Sequence, residues 1–319
     1  MTTYPEFSSV RRIAVIGTGT IGASWAAYFL AQGYDVSAWD PGEGWRERFA
    51  AFLDNAWPQL TELGLAEGAD RSRVTLHDSV EDAVAEAGFV QESAPERLEV
   101  KQELYRRLDN ALPAGTVLSS STSGLIMSDM QAGLATASRF VVGHPFNPPH
   151  LIPLVEVVAG KDTDPAAADW MMGFYKHIGK HSIRIRREVP GHLANRLQAA
   201  LWREAVFAVE NDLASVEDID AAISQGPGLR WALMGPHMIL NLAGGKGGMD
   251  QFLHHFLPGM ESWWETMGGN PTMDDGMFEA LKSGVREEAG DRAIDDLEEE
   301  RDERLIRLLK ILKETERSA

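Results

Sequence analysis

The sequence predicts an α/β fold with a doubly wound sheet, followed by an all-α C-terminal domain. Through the first half of the chain, short apolar runs rich in β-branched residues alternate with helical segments, which is the pattern of a sheet covered by helices on both faces. Beyond Val189-Pro190-Gly191, apolar residues recur at helical spacing and strand signals largely disappear. We therefore expect one domain over residues 1–188 and a helical domain over residues 189–319.

The individual elements follow from these periodicities. The first strand is predicted at Ile13–Gly17 and the first helix at Ile21–Ala31. Further strands are predicted at Asp35–Asp40, Val74–Leu76, Phe89–Glu92, Thr116–Ser120, Phe140–His144 and Leu154–Ala159, and further helices at Trp45–Leu63 and Glu96–Leu112. Strands that alternate with helices favour a parallel sheet. In the second half, helical spacing begins with Leu193, Leu197, Ala200 and Leu201. Alternating charges over residues 292–317 predict a surface helix that packs on its own domain or on a partner subunit.

Composition and charge narrow the range of partners. The 319 residues carry a net charge of −18 and include no cysteine, so nucleic acid and anionic membrane are disfavoured, and disulfides and thiol nucleophiles are excluded. The polar start of the chain lacks signal-peptide character, and no apolar run approaches the roughly 20 residues of a membrane span, which predicts a cytoplasmic protein. The nine histidines show no ligand spacing, so no metal is expected. The negative charge either provides solubility alone or also favours a cationic substrate.

A glycine-rich motif lies where the first predicted strand meets the first helix. Gly17-Thr18-Gly19-Thr20-Ile21-Gly22 matches GxGxxG, in which the first glycine permits a tight turn, the second lets backbone approach a pyrophosphate, and the third allows close helix packing. The helix N-terminus, with Thr20 and Ile21, presents free N–H groups to phosphate oxygens. Asp40 ends the next strand about 20 residues later, where an acid binds the ribose hydroxyls. The sequence therefore predicts a Rossmann-type domain that binds NAD in preference to NADP.

A candidate acid–base pair follows further along the chain. His144 lies in Gly143-His144-Pro145-Phe146-Asn147-Pro148, and Glu156 lies in the next apolar run. Oxidation of an alcohol needs a base for the hydroxyl proton, a role that suits histidine, and a carboxylate on the other ring nitrogen would fix the tautomer. His144 and Glu156 can form this pair if the prolines turn the chain back; an ordinary turn that contains a histidine is the alternative. Asn147 and Ser123 are candidate donors to the substrate oxygen.

These segments resemble the 3-hydroxyacyl-CoA dehydrogenase superfamily, and the resemblance covers most of the chain. His144 and Glu156 match its catalytic dyad in a motif of the form H-x-F-N-P…E-V, and Ser123 matches its catalytic serine. Asn195 is similar to the asparagine on the first helix of the C-terminal domain. The candidates for cofactor binding include Asn147 and, near the nicotinamide half, Glu96 and Lys101. The resemblance implies a Rossmann-type domain, a helical dimerisation domain and an active site in the cleft between them.

Four phrases are similar, within this superfamily, to the bacterial L-carnitine dehydrogenases. They are Asn55-Ala56-Trp57-Pro58, the segment 91–97, Leu201-Trp202-Arg203-Glu204-Ala205 and Gly228-Leu229-Arg230-Trp231. The resemblance implies oxidation of the 3-hydroxyl of L-carnitine to 3-dehydrocarnitine with NAD, in a homodimer formed through the C-terminal domain. The last phrase is also similar to L-gulonate 3-dehydrogenase and lambda-crystallin. L-Gulonate and short 3-hydroxyacyl-CoA therefore stay open as substrates, as does a non-catalytic crystallin-like or NAD-sensing protein.

Four residues of the C-terminal domain are candidates for substrate binding. Arg230 suits a carboxylate, since guanidinium binds carboxylate in a bidentate fashion; a structural arginine at a helix end is the alternative. A quaternary ammonium cannot donate hydrogen bonds and is recognised by aromatic faces, for which Trp202, Trp231 and Phe252 are candidates. Trp202 lies about two helical turns after Asn195 on the same face. For each aromatic residue, packing in the core is the alternative.

Overall fold

The computed structural model describes residues 3–317 and places eight strands in one sheet. The strands are β1 (Arg12–Ile16), β2 (Asp35–Trp39), β3 (Val74–Leu76), β4 (Phe89–Glu92), β5 (Val117–Ser120), β6 (Phe140–Pro145), β7 (Leu154–Ala159) and β8 (His181–Ile185). Their order across the sheet is β3-β2-β1-β4-β5-β6-β7-β8. The strand order reverses between β1 and β4, which is where doubly wound sheets bind their ligands.

Helices connect most of the strands and form the rest of the described chain. Those of the sheet region are α1 (Thr20–Ala31), α2 (Trp45–Leu63), α3 (Val80–Val84), α4 (Leu98–Ala111), α5 (Met127–Met130) and α6 (Pro165–His177). They are followed by α7 (Ala194–Glu210), α8 (Val216–Ser224), α9 (Pro227–Trp231), α10 (Pro236–Ala243), α11 (Gly248–His255), α12 (Leu257–Thr266), α13 (Asp275–Ala289) and α14 (Ile294–Arg317). The predicted α/β sheet and all-α C-terminal part are both confirmed.

One pairing in the sheet differs from the predicted parallel arrangement. Strands β6 and β7 are antiparallel, and the other pairings are parallel. Parallel strands need a crossover connection, usually a helix, whereas the short proline-rich segment 146–153 contains no helix and returns the chain directly. The resulting register places His144 opposite Glu156.

Strand β8 was absent from the sequence-based prediction. It lies at the edge of the sheet, beside β7, and its five residues are exposed or half-buried. An edge strand with one partner contains fewer apolar residues than the buried central strands. The short run His-Ser-Ile-Arg-Ile therefore lacks the apolar signal that identified the other strands.

Aromatic packing joins α1 and α6 to one face of the sheet. The residues of α1 from Gly22 to Ala31 are all buried, as expected for a helix that is apolar on every side. Trp25 and Phe29 of α1 stack with ring centroids 5.2 Å apart. The ring centroid of Phe174 on α6 lies 4.6 Å from that of Phe89 on β4. A separate apolar cluster contains the alternate residues of the same strands together with α3, α4 and α5, so both faces of the sheet are covered.

The described chain divides into two compact units. Within residues 3–317, the first comprises residues 3–195 with Asp302–Lys310, and the second comprises Arg196–Arg301 with residues 311–317. Part of α14 therefore belongs to the first unit, where Lys310 Nζ lies 2.7 Å from Glu62 Oε1 on α2. Residues 302–310 of the tail helix therefore contact the first unit, whereas residues 294–301 belong to the helical unit, as expected for packing on its own domain. Packing of this helix on a partner subunit stays a prediction. The domain division at residue 188 stays a prediction.

The second unit exposes many of its large apolar side chains. Helical spacing was predicted from Leu193 onward, and helix α7 begins one residue later, at Ala194. Leu197 and Leu201 of this helix are nevertheless 60% and 39% exposed. Five further apolar side chains of this unit are at least 61% exposed: Leu213, Leu229, Leu233, Trp263 and Ile294. The apolar stripe that predicted these helices is therefore not buried within the single chain.

Candidate active site

In the glycine turn after β1, protein atoms surround Gly17 and Gly22, but none lies close to the side-chain position of Gly19. Gly17 has a φ of +86°, and a Cβ there would lie 2.6 Å from the Ser93 carbonyl oxygen. A Cβ on Gly22 would lie 1.8 Å from the Gly17 carbonyl oxygen. Gly19, at the N-cap of α1, has nothing within 4 Å of the same position. Gly17 and Gly22 are thus required by packing, whereas Gly19 leaves backbone accessible beside the free amides of Thr20 and Ile21.

Asp40 is fixed against this turn by two backbone amides. Its Oδ2 accepts a hydrogen bond from the Thr18 amide at 2.7 Å, and its Oδ1 accepts one from the Gly42 amide at 2.7 Å. Each carboxylate oxygen keeps a further lone pair for a ribose hydroxyl. The side-chain hydroxyl of Thr18 is buried and has no partner among the described residues. The turn therefore fits the pyrophosphate and ribose of a dinucleotide.

Lys101 lies in a buried ion pair below the next loop. Its Nζ donates to Glu92 Oε1 at 2.5 Å and to the Ala94 carbonyl at 3.1 Å, and the side chain is 1% exposed. Glu92 also accepts hydrogen bonds from the Ala94 amide, the Tyr105 hydroxyl and the Ser120 hydroxyl. Burial and the neighbouring Glu92 charge raise the pKa of Tyr105, which keeps its hydroxyl a donor. A direct contact of Lys101 with the cofactor stays a prediction.

Hydrogen bonds to Glu96 hold the loop that carries Ser123. Its Oε1 accepts hydrogen bonds from the Thr122 hydroxyl at 2.7 Å and from the amides of Ser123 and Gly124 at 2.9 and 3.0 Å. Asn195 reaches the same loop, because its Nδ2 donates to the Ser123 carbonyl at 3.1 Å. Three of the predicted site residues, Glu96, Ser123 and Asn195, therefore meet at one loop.

The structure brings His144 and Glu156 together as a buried pair. His144 Nδ1 lies 2.8 Å from Glu156 Oε2, and the residues are 3% and 0% exposed. Glu156 Oε1 accepts the amides of Leu193 and Ala194 at 3.0 and 2.9 Å, at the positively polarised start of α7. Burial raises the pKa of a carboxyl group, but the bonds from His144 and the two amides outweigh it and lower the pKa of Glu156. The ionised carboxylate keeps the proton of His144 on Nδ1, so Nε2 is the acceptor.

His192 is a second histidine at this pair, and it was not identified from the sequence. Its ring centroid lies 5.2 Å from that of His144, and its Nε2 lies 3.1 Å from the Thr122 carbonyl oxygen. The residue is 2% exposed with a φ of +49°, and burial lowers its pKa, which favours the neutral ring. Its Nδ1 has no partner among the described residues. The only available signal was its place three residues before Asn195, which does not distinguish it from a packed histidine.

The remaining predicted residues lie elsewhere in the fold. Asn147 is exposed and follows Phe146, whose ring contacts that of His144 at 4.9 Å. The four substrate candidates belong to the second unit. Trp202 and Trp231 are 57% and 41% exposed, whereas Phe252 is 6% exposed and stacks on Phe256 at 5.7 Å. Arg230 lies in the last turn of α9.

Across residues 3–317, no three histidine, aspartate or glutamate side chains are grouped as metal ligands. Among the described helices, none combines the length and the apolar character that crossing a bilayer requires.

Removal of a hydride from an alcohol carbon needs a bound dinucleotide on one side and a base for the hydroxyl proton on the other. The turn at Gly19 accommodates the first, and the imidazole fixed by Glu156 can supply the second. The fold and the site therefore define the class of dinucleotide-dependent dehydrogenases.

Family models identify the group within this class. Residues 12–189 match the model described as 3-hydroxyacyl-CoA dehydrogenase, NAD binding domain, and residues 191–291 match 3-hydroxyacyl-CoA dehydrogenase, C-terminal domain. The chain belongs to the 3-hydroxyacyl-CoA dehydrogenase family. It is an NAD-dependent oxidoreductase that acts on a CH–OH group.

Individual relatives cover nearly the whole chain. An L-carnitine dehydrogenase of Streptomyces griseus subsp. griseus is 54% identical over 97% of this chain and 92% of its own length. One from Pseudomonas putida is 40% identical over 98% of each chain. The solved structure of an NAD-dependent 5-formyl-3-hydroxy-2-methylpyridine 4-carboxylic acid 5-dehydrogenase is 30% identical, with a TM-score of 0.81, and covers 95% of this chain and 99% of that one.

Two glycine substitutions should distinguish a glycine that the packing of the turn requires from one that the cofactor requires for close contact with the backbone. Gly22→Ala places a methyl group against the Gly17 carbonyl, so we expect a lower thermal midpoint, at a cost of about 1–3 kcal/mol. Gly19→Ala meets no protein atom, so we expect an unchanged midpoint and weaker NADH binding. Circular dichroism and NADH fluorescence titration measure both. Equal stability of Gly22→Ala, or full NADH affinity of Gly19→Ala, would contradict these assignments.

Glu156→Gln should reduce the dependence of stability on acid pH. Because the folded state lowers the pKa of Glu156 from 4.5, its ionised form stabilises the fold above that pH, and this stabilisation disappears as the pH falls through the folded value. The difference in free energy of unfolding between the unmodified protein and Glu156→Gln should therefore shrink below pH 4.5. Urea unfolding at several pH values measures it, with the exposed Glu103→Gln as control. A difference that stays constant into the acid range refutes the assignment.

Proposed function

We propose that this protein oxidises the 3-hydroxyl of L-carnitine to 3-dehydrocarnitine, with NAD as the hydride acceptor and His144 as the general base. The observation that carries the substrate assignment is the 54% identity to an L-carnitine dehydrogenase along 97% of this chain. The reaction type is supported by the buried His144–Glu156 pair, which fits oxidation of a secondary alcohol.

The proposed chemistry removes a hydride from the carbinol carbon and a proton from its hydroxyl group. The residues of the glycine turn would hold NAD, which would supply the acceptor for the hydride of the carbinol carbon. His144 Nε2 takes the hydroxyl proton, since its Nδ1 is held by Glu156. The Glu156 carboxylate stabilises the imidazolium that forms. Ser123 and Asn195 are proposed to orient the substrate oxygen, because Glu96 fixes the serine loop and Asn195 donates to it.

Cofactor binding is proposed for the residues of the glycine turn and its neighbours. Gly17 and Gly22 shape the turn. Gly19 and the amides of Thr20 and Ile21 are assigned to the pyrophosphate. The carboxylate of Asp40 is assigned as the acceptor of hydrogen bonds from the ribose hydroxyls. Lys101 is proposed to act indirectly, because its ammonium donates hydrogen bonds to Glu92 and to the Ala94 carbonyl. Glu96 and Asn147 are proposed to contact the nicotinamide half of the cofactor.

Substrate recognition is proposed for residues of the second unit. Arg230 is assigned to the carboxylate, which guanidinium binds through paired hydrogen bonds. Trp202 and Trp231 are assigned to the trimethylammonium group, since more than a third of each side chain is exposed and a ring face is available. Phe252 is buried and stacks on Phe256, which agrees with the alternative that it packs in the core.

The substrate assignment is tested by NAD reduction with a panel of alcohols. We expect L-carnitine to be oxidised efficiently and 3-hydroxybutyrate, L-gulonate and 3-hydroxybutyryl-CoA much less well. Trp202→Ala and Trp231→Ala should each weaken carnitine binding roughly 5- to 30-fold, which corresponds to a cation–π contribution of about 1–2 kcal/mol. Trp263→Ala, an exposed tryptophan of α12, serves as the matched control.

His144→Gln serves as the chemical control in the same assay. It should lower kcat roughly 10²- to 10⁴-fold while NADH still binds. Robust oxidation of L-gulonate or 3-hydroxybutyryl-CoA with none of L-carnitine would overturn the substrate and leave the dehydrogenase chemistry in place.

We also propose that the protein is a homodimer formed through its helical part, in the cytoplasm. Single chains rarely leave large apolar surfaces uncovered, and a second copy would cover the exposed Leu213, Leu229 and Leu233. A cytoplasmic location agrees with the absence of cysteine from all 319 residues, since no disulfide calls for an oxidising compartment. The net charge of −18 favours small-molecule partners over nucleic acid.

Light scattering after size exclusion tests the dimer. The measured molar mass of the unmodified protein should be about twice the 35.1 kDa of one chain, because association buries apolar area. Leu233→Glu should shift the mass toward that of one chain. Leu65→Glu, an exposed leucine of the first unit, should leave the mass unchanged. A monomeric unmodified protein, or a Leu233→Glu variant that dimerises with full affinity, would count against this interface.

A further inference from the structure

Lys180 is a buried cation that the proposed chemistry does not use. It lies between α6 and β8 and is 4% exposed. Among the residues that the structure describes, no carboxylate forms an ion pair with its ammonium. Burial without a counter-charge lowers its pKa to about 7. Because burying an unpaired charge is costly, the contacts that hold this side chain indicate what it does.

The amino group of Lys180 is held by two carbonyls and two aromatic rings. Nζ donates to the Pro149 carbonyl and, at 3.0 Å, to the Ile152 carbonyl. It lies 3.8 Å from the ring centroid of Tyr28 and 5.2 Å from that of Trp25, both on α1. The Tyr28 hydroxyl in turn donates to the Ile178 carbonyl at 2.6 Å, two residues before Lys180. The side chain therefore connects α1 to the segment 149–152.

That segment joins the two members of the catalytic pair. It lies between β6, which carries His144, and β7, which carries Glu156. His150 anchors the same segment to α1, since its backbone amide donates to the Ser24 hydroxyl at 2.8 Å and its Nδ1 lies 2.7 Å from that hydroxyl. Helix α1 begins at the glycine turn. Lys180 thus binds the β6–β7 connection at Pro149 and Ile152 and packs it against the helix that begins at the glycine turn.

We propose that Lys180 is a positioning residue for the dehydrogenase reaction, which fixes the β6–β7 connection against α1 and thereby sets the geometry of the His144–Glu156 pair. This inference rests on the proposed role of His144 as the base. A hydrocarbon at position 180 would leave the carbonyls of Pro149 and Ile152 buried without their donor, which favours a shifted connection. Displacements of about 1 Å at a catalytic group lower rates about 100-fold.

The test compares Lys180→Met with Lys176→Met, the same substitution at an exposed lysine of α6. Lys180→Met should lower kcat about 10- to 100-fold, with KM for NAD changed less than about threefold and NADH still bound. Lys176→Met should leave both constants unchanged. Proton NMR provides a readout that does not depend on substrate. The His144 Nδ1–H that is bound to Glu156 should give a low-field signal that Glu156→Gln abolishes and Lys180→Met shifts or broadens.

The outcomes distinguish positioning from simple stabilisation. If Lys180→Met only lowers the thermal midpoint and keeps kcat and the low-field signal, the proposal is overturned. If it does not fold, Lys180→Arg decides, because arginine keeps a cationic donor but its longer, planar guanidinium cannot replace the ammonium between the two carbonyls without moving the segment 149–152. A folded Lys180→Arg variant with reduced kcat and a displaced signal supports the proposal, and normal values of both overturn it. A wrong assignment of L-carnitine would remove the kcat comparison but leave the NMR result intact.

Discussion

The carboxylate of Glu156 is the group on which the rest of the site depends. It is fully buried, and such a charge is tolerated only when it is paired and its oxygens are hydrogen-bonded. Here one oxygen binds His144 and the other binds the first amides at the start of α7. The groups that satisfy this charge are therefore the proposed base and the beginning of the helix that carries Asn195. Removing the charge would release all of them together.

A second buried carboxylate has the corresponding role beside the glycine turn. Glu92 has no exposed surface, and both of its oxygens are hydrogen-bonded, to Lys101, Tyr105, Ser120 and the Ala94 amide. These bonds fix the loop that packs on Gly17 and carries Glu96. Glu96 then holds the loop of Ser123, to which Asn195 is bonded. Networks of this kind specify one arrangement because each member loses its partner if another moves.

The extent to which the sequence predicts this structure depends on how local each feature is. The glycine turn and Asp40 follow from spacing along adjacent elements, and the strands around them were predicted within a residue or two. His144 and Glu156 are separated by 12 positions, and they meet only because β6 and β7 are antiparallel; the prolines indicated the return of the chain but not its register. Lys180 follows a glycine as a surface lysine would. Its burial arises from α1 and the segment 149–152, which are distant in the sequence, so no local pattern reveals it.

The residues proposed for reaction chemistry and those proposed for substrate recognition lie in different parts of this chain. The histidine–glutamate pair, the serine loop and Asn195 all belong to the first compact unit, whereas Arg230, Trp202 and Trp231 belong to the second. The first set is held by buried charges whose loss would disturb several elements at once, so it is constrained. The tryptophans of the second set are largely exposed in the single chain, and exposed positions accept substitution at little cost in stability. A fold built in this way can keep one hydride-transfer chemistry while its substrate changes, because function is carried by sites placed on a shared framework.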